Sequence, residues 1–148
     1  MNLKRTPYLL VDADANEVRL LTLRQAMQRL TDDDGDSMAA IIDLSRCQSV
    51  FDRRAKGKQE WSTHDIEAVT GLHLRVVDAW TRAGIIPVSH RDGRGGKRIY
   101  SRQAAFIAAV AASIRRQCML PLPMLAKVSE LLAEADETVV DVVDIERN

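Results

Sequence analysis

At 148 residues with no net charge, 46% hydrophobic and 28% charged, the chain has the length and composition of an ordinary globular domain. No apolar run approaches the roughly 20 residues of a membrane-spanning helix, and Cys47 and Cys118 stand far apart without histidines at ligand spacing, which argues against a disulfide framework or a zinc site. The zero balance hides a distribution: residues 1–52 carry −3 (six basic, nine acidic), residues 53–116 carry +8 (thirteen basic, five acidic) and residues 117–148 carry −5 (two basic, seven acidic). A basic middle between acidic flanks suits a face that neutralises phosphates while the rest keeps the molecule soluble.

The opening residues, "MNLKRTPYLLVDADANE", place only a short apolar stretch between basic residues and acids. That does not suit a signal peptide, so a cytoplasmic, nucleoid-associated location is expected. Two β-rich runs, Tyr8 to Val11 and Val18 to Leu23, flank the turn-forming "DADAN" and predict a hairpin. "TLRQAMQRL" follows with Thr22 and Gln25 at capping-box spacing and with Leu23, Ala26, Met27 and Leu30 on one stripe, so a short helix is predicted.

"DDDGD" ends that helix and invites a calcium-loop reading, which fails. With Gly35 at the sixth loop position, the first is Leu30 and the twelfth Ile41, neither an oxygen ligand. A solvated acidic turn is expected instead. "MAAIIDL", Met38 to Leu44, reads as a buried strand, and "SRCQSVFDRRAKG" as a helix with Ser45 and Gln48 at capping-box spacing. Arg53, Arg54, Lys56 and Lys58 read as a basic linker, either an arm on DNA or a solvated connection, with a boundary at about 56–60. A small α/β module is therefore expected over 1–56. The Val- and Ile-rich end of the chain predicts a further strand, 137–146, pairing with the N-terminal hairpin.

From Trp61 the pattern sharpens. "WSTHDIEAVTGLHLRVVDAWTRAGII" holds a short helix capped by Ser62 or Thr63, the break "TGL", and a second helix with Leu72, Val76, Val77, Trp80 and Ala83 at helical spacing. This is a helix-turn-helix whose second helix can enter a major groove. Its outer face would present His73, Arg75 and Arg82, while Trp80 belongs to the core. Beyond it, "GIIPVSHRD" and "KRIYS" flank Gly93, Gly95 and Gly96 as a β-hairpin with Arg91, Arg94, Lys97 and Arg98 projecting: a basic wing. The glycines are not a phosphate-cradling P-loop, because Lys97 is followed by Arg98, Ile99 and Tyr100, a strand, rather than by Ser or Thr opening a helix. Ser101 then caps an apolar helix around Phe106, Ile107, Val110 and Ile114. Another follows near Pro121 and Pro123, with the stripe Met124, Leu125, Val128, Leu131 and Leu132.

This order of parts over residues 61–133 resembles the DNA-binding domain of the MerR family. The matching residues are Trp61, Thr70 and Gly71, Trp80, Gly84 and Ile85, and Arg98, Tyr100 and Ser101 at the wing exit. The resemblance implies a winged helix on promoter DNA, with Arg98 and Tyr100 on the backbone. Where the family carries an Arg-aromatic pair late in the recognition helix this chain has Asp78 and Ala79, so one phosphate contact is missing. The family's long dimerisation helix and its metal-sensing cysteines have no counterparts, so DNA binding is expected without a metal or other cofactor.

The fold expected is mainly α with small β elements (α+β), a winged helix-turn-helix beside the α/β module. The function expected is that of a sequence-specific regulator of transcription on double-stranded DNA. Thr63, Arg91, Arg94, Lys97, Arg98 and Tyr100 would hold phosphates; His73, Leu74 and Arg75 would face base edges. Arg75 suits a guanine edge or a phosphate equally, and His64 and His73 suit backbone, bases or plain solvent. No nucleophile, paired carboxylates or cofactor loop marks an enzyme. A homodimer or cooperative multimer through the N- and C-terminal segments is expected. Two further readings stay open: an architectural factor of the excisionase kind, and an antitoxin or adaptor whose acidic α/β part captures a protein partner.

Overall fold

A computed structural model describes the backbone of residues 5–32, 39–91 and 97–147, and the side chains of 5–32, 39–89 and 97–135. It is a mixed helix-and-sheet fold. Among the described residues, β1 (Tyr8–Asp12), β2 (Glu17–Leu21) and β3 (Ala39–Asp43) form an antiparallel sheet in the order β2-β1-β3, with α1 (Leu23–Asp32) between β2 and β3 in the chain. There follow α2 (Leu44–Ala55), β4 (Glu60–Trp61), α3 (Thr63–Thr70), α4 (Leu74–Arg82), β5 (His90–Arg91), β6 (Arg98–Ser101), α5 (Arg102–Gln117) and α6 (Leu122–Arg147). Strand β6 lies between β4 and β5 in a second antiparallel sheet.

The expected hairpin forms. Register pairs Leu9 with Leu20 and Ile42, so the side chains that alternate along the strands sort into two faces. Leu9, Val11 and Ile42 join the main core; Leu10, Leu21 and Ala26 make a small cluster under α1. The turn is closed by Asp12, whose Oδ1 accepts from the Asp14 and Ala15 N–H groups and whose Oδ2 receives the Arg29 guanidinium of α1 at 3.3 Å. Thr22 and Gln25 make the expected capping box. Only Ala26 of the apolar stripe is buried, however: Leu23, Met27 and Leu30 are 55%, 60% and 63% exposed.

Helix α2 starts one residue before Ser45, because Asp43 rather than Ser45 is the cap, accepting from the Arg46 N–H. The "DDDGD" turn after Asp32 and the start of the next run at Met38 lie outside the described residues. Arg53 and Arg54 are the last turn of α2, not a linker, and the core runs across the sequence that follows them. Phe51 of α2 stacks on Trp61 at 5.7 Å and meets Phe106 of α5 edge-on at 5.6 Å. Arg102 spans the same junction, donating to the Lys58 carbonyl and the Asp52 carboxylate while lying over the Phe51 ring. The 1–56 segment thus shares one core with 61–133.

The strand expected at 137–146 is instead helix, the continuation of α6. Ala133, Glu134 and Ala135 are strong helix formers, and no glycine or proline interrupts the chain from Met124 to Arg147. Val and Ile favour strands only where a sheet neighbour is at hand. Helix α6 meets the N-terminal sheet along β2, where Lys127 Nζ, ten residues before the expected strand, donates to Asn16 Oδ1. Among the described residues no helix is long and apolar enough to cross a membrane.

Candidate nucleic-acid interface

Ser62 caps α3 with a full capping box: its hydroxyl accepts from the Asp65 N–H and Asp65 Oδ2 accepts from the Ser62 N–H. Lys58 lies 3.3 Å from the same carboxylate. Burial raises the Asp65 carboxyl, but the Ser62 N–H, Lys58 and the Ser62 hydroxyl outweigh it and hold it below its ordinary value. Thr63, half-buried, and His64, exposed, are the first two residues of the helix. It ends at Gly71, in the left-handed conformation at φ 76°, whose N–H reaches the Glu67 carbonyl. That backbone turn suits glycine because a Cβ crowds the next carbonyl there.

Helix α4 begins with protein groups on its free N–H donors. Glu67 Oε2 accepts from the Leu74 N–H at 3.0 Å and His73 Nδ1 from the Arg75 N–H at 3.1 Å. The expected base-facing histidine is therefore the N-cap of α4, exposed at its rim, and Leu74 is half-buried. Val77 and Trp80 point into the core, one turn apart. The opposite stripe holds Arg75, Ala79 and Arg82, all exposed and spaced i, i+4, i+7. Arg75 has no carboxylate within ion-pair distance among the described residues.

Asp78, beside this stripe, takes two guanidiniums. Its Oδ2 lies 3.2 Å from Arg82 one turn on, and its Oδ1 receives Arg98 from β6. Arg98 is only 15% exposed, and the Asp78 hydrogen bond raises it above its ordinary pKa against the cost of burial, so it stays charged. The wing arginine expected on a phosphate is thus engaged inside the protein. Tyr100 departs further: it is 0% exposed, with its hydroxyl 2.9 Å from Thr81 Oγ1. Strand alternation explains it, since Tyr100 pairs with Trp61 and faces the core while Lys97, ahead of β6, is exposed. Arg91 sits in β5 opposite Arg98 by register, with its side chain outside the described residues; Arg94 lies outside them altogether.

The described surface thus brings His64, His73, Arg75, Arg82 and Lys97 to solvent and withdraws Arg98 and Tyr100. Two acids shape it: Asp78, which the sequence offers only as a missing phosphate contact, and Glu67. Asp78 was legible from its i, i+4 spacing to Arg82; its bond to Arg98, and the reach of Glu67 to Leu74, needed the fold. No family model, curated protein or solved structure matches the chain.

Proposed function

We propose that the chain binds double-stranded DNA as a cytoplasmic regulator of transcription, with α4 in the major groove and the β5–β6 hairpin against the backbone, in the manner of a MerR-like winged helix-turn-helix. The observation that carries this reading is the outer stripe of α4: Arg75 exposed and free of any carboxylate partner among the described residues, with Ala79 leaving room beside it. An arginine so placed suits the acceptor pair of a guanine edge or a phosphate. Short α3, a glycine turn, α4, a hairpin and then α5 follow in the order such a domain requires.

In this reading phosphates fall to Thr63, His64, Arg82 and Lys97, together with Arg91 and Arg94. Arg98 is a positioning residue, tying the hairpin to α4 through Asp78, and Tyr100 is a core residue. The test is a fluorescence anisotropy titration of the full chain with labelled duplexes of random sequence at low salt, repeated with Arg75→Ala. Weakening that also relaxes sequence preference supports base reading; equal weakening on all duplexes assigns Arg75 to a phosphate. A footprint that spreads with protein concentration would place the protein among architectural factors.

A second reading, capture of a protein partner or self-association, is favoured by the outward stripe of α1. Leu23, Met27 and Leu30 form one exposed apolar face one helical turn apart. Sedimentation of the full chain over a wide concentration range, beside a variant with glutamine at all three positions, separates dimer from monomer.

A further inference from the structure

A cleft of about 390 Å³ opens between α2, the end of α3 and α5, away from the outer stripe of α4. Its apolar wall is made by Ile42, Val50, Phe51 and Ala109, and Arg46, Arg54 and Arg116 line it as well. None of the three guanidiniums has a carboxylate within ion-pair distance among the described residues, whereas Arg102, also joining α2 to α5, has Asp52 at 3.0 Å. Asp43, the acid of this cleft, is occupied as the cap of α2. Arg54 and Arg116 instead donate to the Val69 and Thr70 carbonyls at 3.4 Å and 3.2 Å, which fixes their stems and leaves further N–H donors on each fork.

Three guanidiniums against the one carboxylate of Asp43 leave the cleft with a net positive charge, which an anion offsets. Guanidinium forks match carboxylate and phosphate oxygens, and an apolar wall gives an organic body somewhere to go. We propose that this cleft binds a small organic anion, with its acidic head among Arg46, Arg54 and Arg116 and its apolar body along Ile42, Val50 and Phe51. Cys47 lines the same cleft. Burial, and after it the Asp43 carboxylate, pushes its thiol above the ordinary value, so it forms part of the apolar wall as a neutral group.

The site is tested without DNA, so its failure is separate from failure of the DNA reading. The full chain is titrated with the fluorescent dye anilinonaphthalene sulfonate, itself an apolar body with an anionic head. Saturable binding at one site is expected, displaced by decanoate or by phenyl phosphate and not by decanol. Whichever of the two anions displaces it at lower concentration identifies the head. Arg46→Gln and Arg116→Gln each weaken the effective anion by about tenfold, the loss of one charge-assisted bond, and Val50→Trp, which fills the cleft, removes dye binding. Substituting Leu23, Met27 and Leu30 with glutamine leaves dye binding intact, which keeps the α1 face out of the result. In a Cys118→Ser background, the effective anion slows alkylation of Cys47 by N-ethylmaleimide. Absence of saturable binding, displacement by decanol as good as by the anions, or arginine variants that bind like the parent protein would each overturn the proposal.

Discussion

The carboxylate of Asp78 on α4 accepts a hydrogen bond from the guanidinium of Arg98 on β6, and so ties the helix to the hairpin beside it. The same carboxylate also holds Arg82, so one acid occupies two of the cations that would otherwise stand free on this face.

Replacing Asp78 by Asn separates two effects of opposite sign. The folded protein loses the counter-charge of a guanidinium that is 15% exposed, which costs about 1–3 kcal/mol and lowers the melting temperature by about 2–4 °C for each kcal/mol. DNA affinity moves the other way, because Arg82 is released and a negative charge leaves the face. Anisotropy titrations over a range of salt concentrations should show tighter binding and a slope steeper by about one phosphate contact.

Gly71 is held at φ 76°, a conformation that costs an L-residue about 1–2 kcal/mol. Gly71→Ala is therefore expected to lower stability by about that amount, although the added Cβ meets no atom closer than the Arg116 guanidinium at 3.8 Å. Gly57→Ala is the control: it has open space and no left-handed backbone, so its effect stays within about 0.5 kcal/mol. Urea unfolding of the two variants checks the contrast.

Phe51 packs on Trp61 and Phe106 and belongs to the same core as both. Thermal unfolding should therefore be a single transition by near- and far-ultraviolet circular dichroism alike. Phe51→Ala should shift that one transition by about 3–5 kcal/mol. Two separable transitions, with only one sensitive to Phe51, would show two independent cores.

The Asp65 carboxyl titrates below its ordinary value in the folded protein. A depressed folded pKa contributes stability above the unfolded pKa, and that contribution is lost as pH falls through the folded one. The stability difference between the parent protein and Asp65→Asn should be constant from about pH 5 to 7 and shrink below about pH 4, where the unfolded state takes up the proton before the folded one does. Denaturant melts at several pH values measure it.

Local signals carried much of the architecture. The hairpin around "DADAN", the Thr22–Gln25 box, Gly71 as a helix stop and Ser101 as a cap each stood in a few adjacent residues and recur in the fold. Errors arose where a distant partner decides. Asp43 displaced Ser45 as the cap of α2, and the Val-rich end stayed helical through Arg147. Residues 53–58 read as a linker because charge is visible in sequence and the Phe51–Trp61 contact is not. On the candidate face, Arg75 and Lys97 are exposed as their positions implied. Arg98 and Tyr100 needed strand alternation and the cross-element bonds to Asp78 and Thr81 to be placed.

The most direct measurement is the affinity of the full chain for duplex DNA at low salt, with and without Arg75→Ala. Saturable binding that falls with rising salt, and that Arg75→Ala weakens by about 1–3 kcal/mol while folding is unchanged, is the expected result. No binding to any duplex, or binding that Arg75→Ala leaves unaltered, contradicts α4 as a DNA-reading helix.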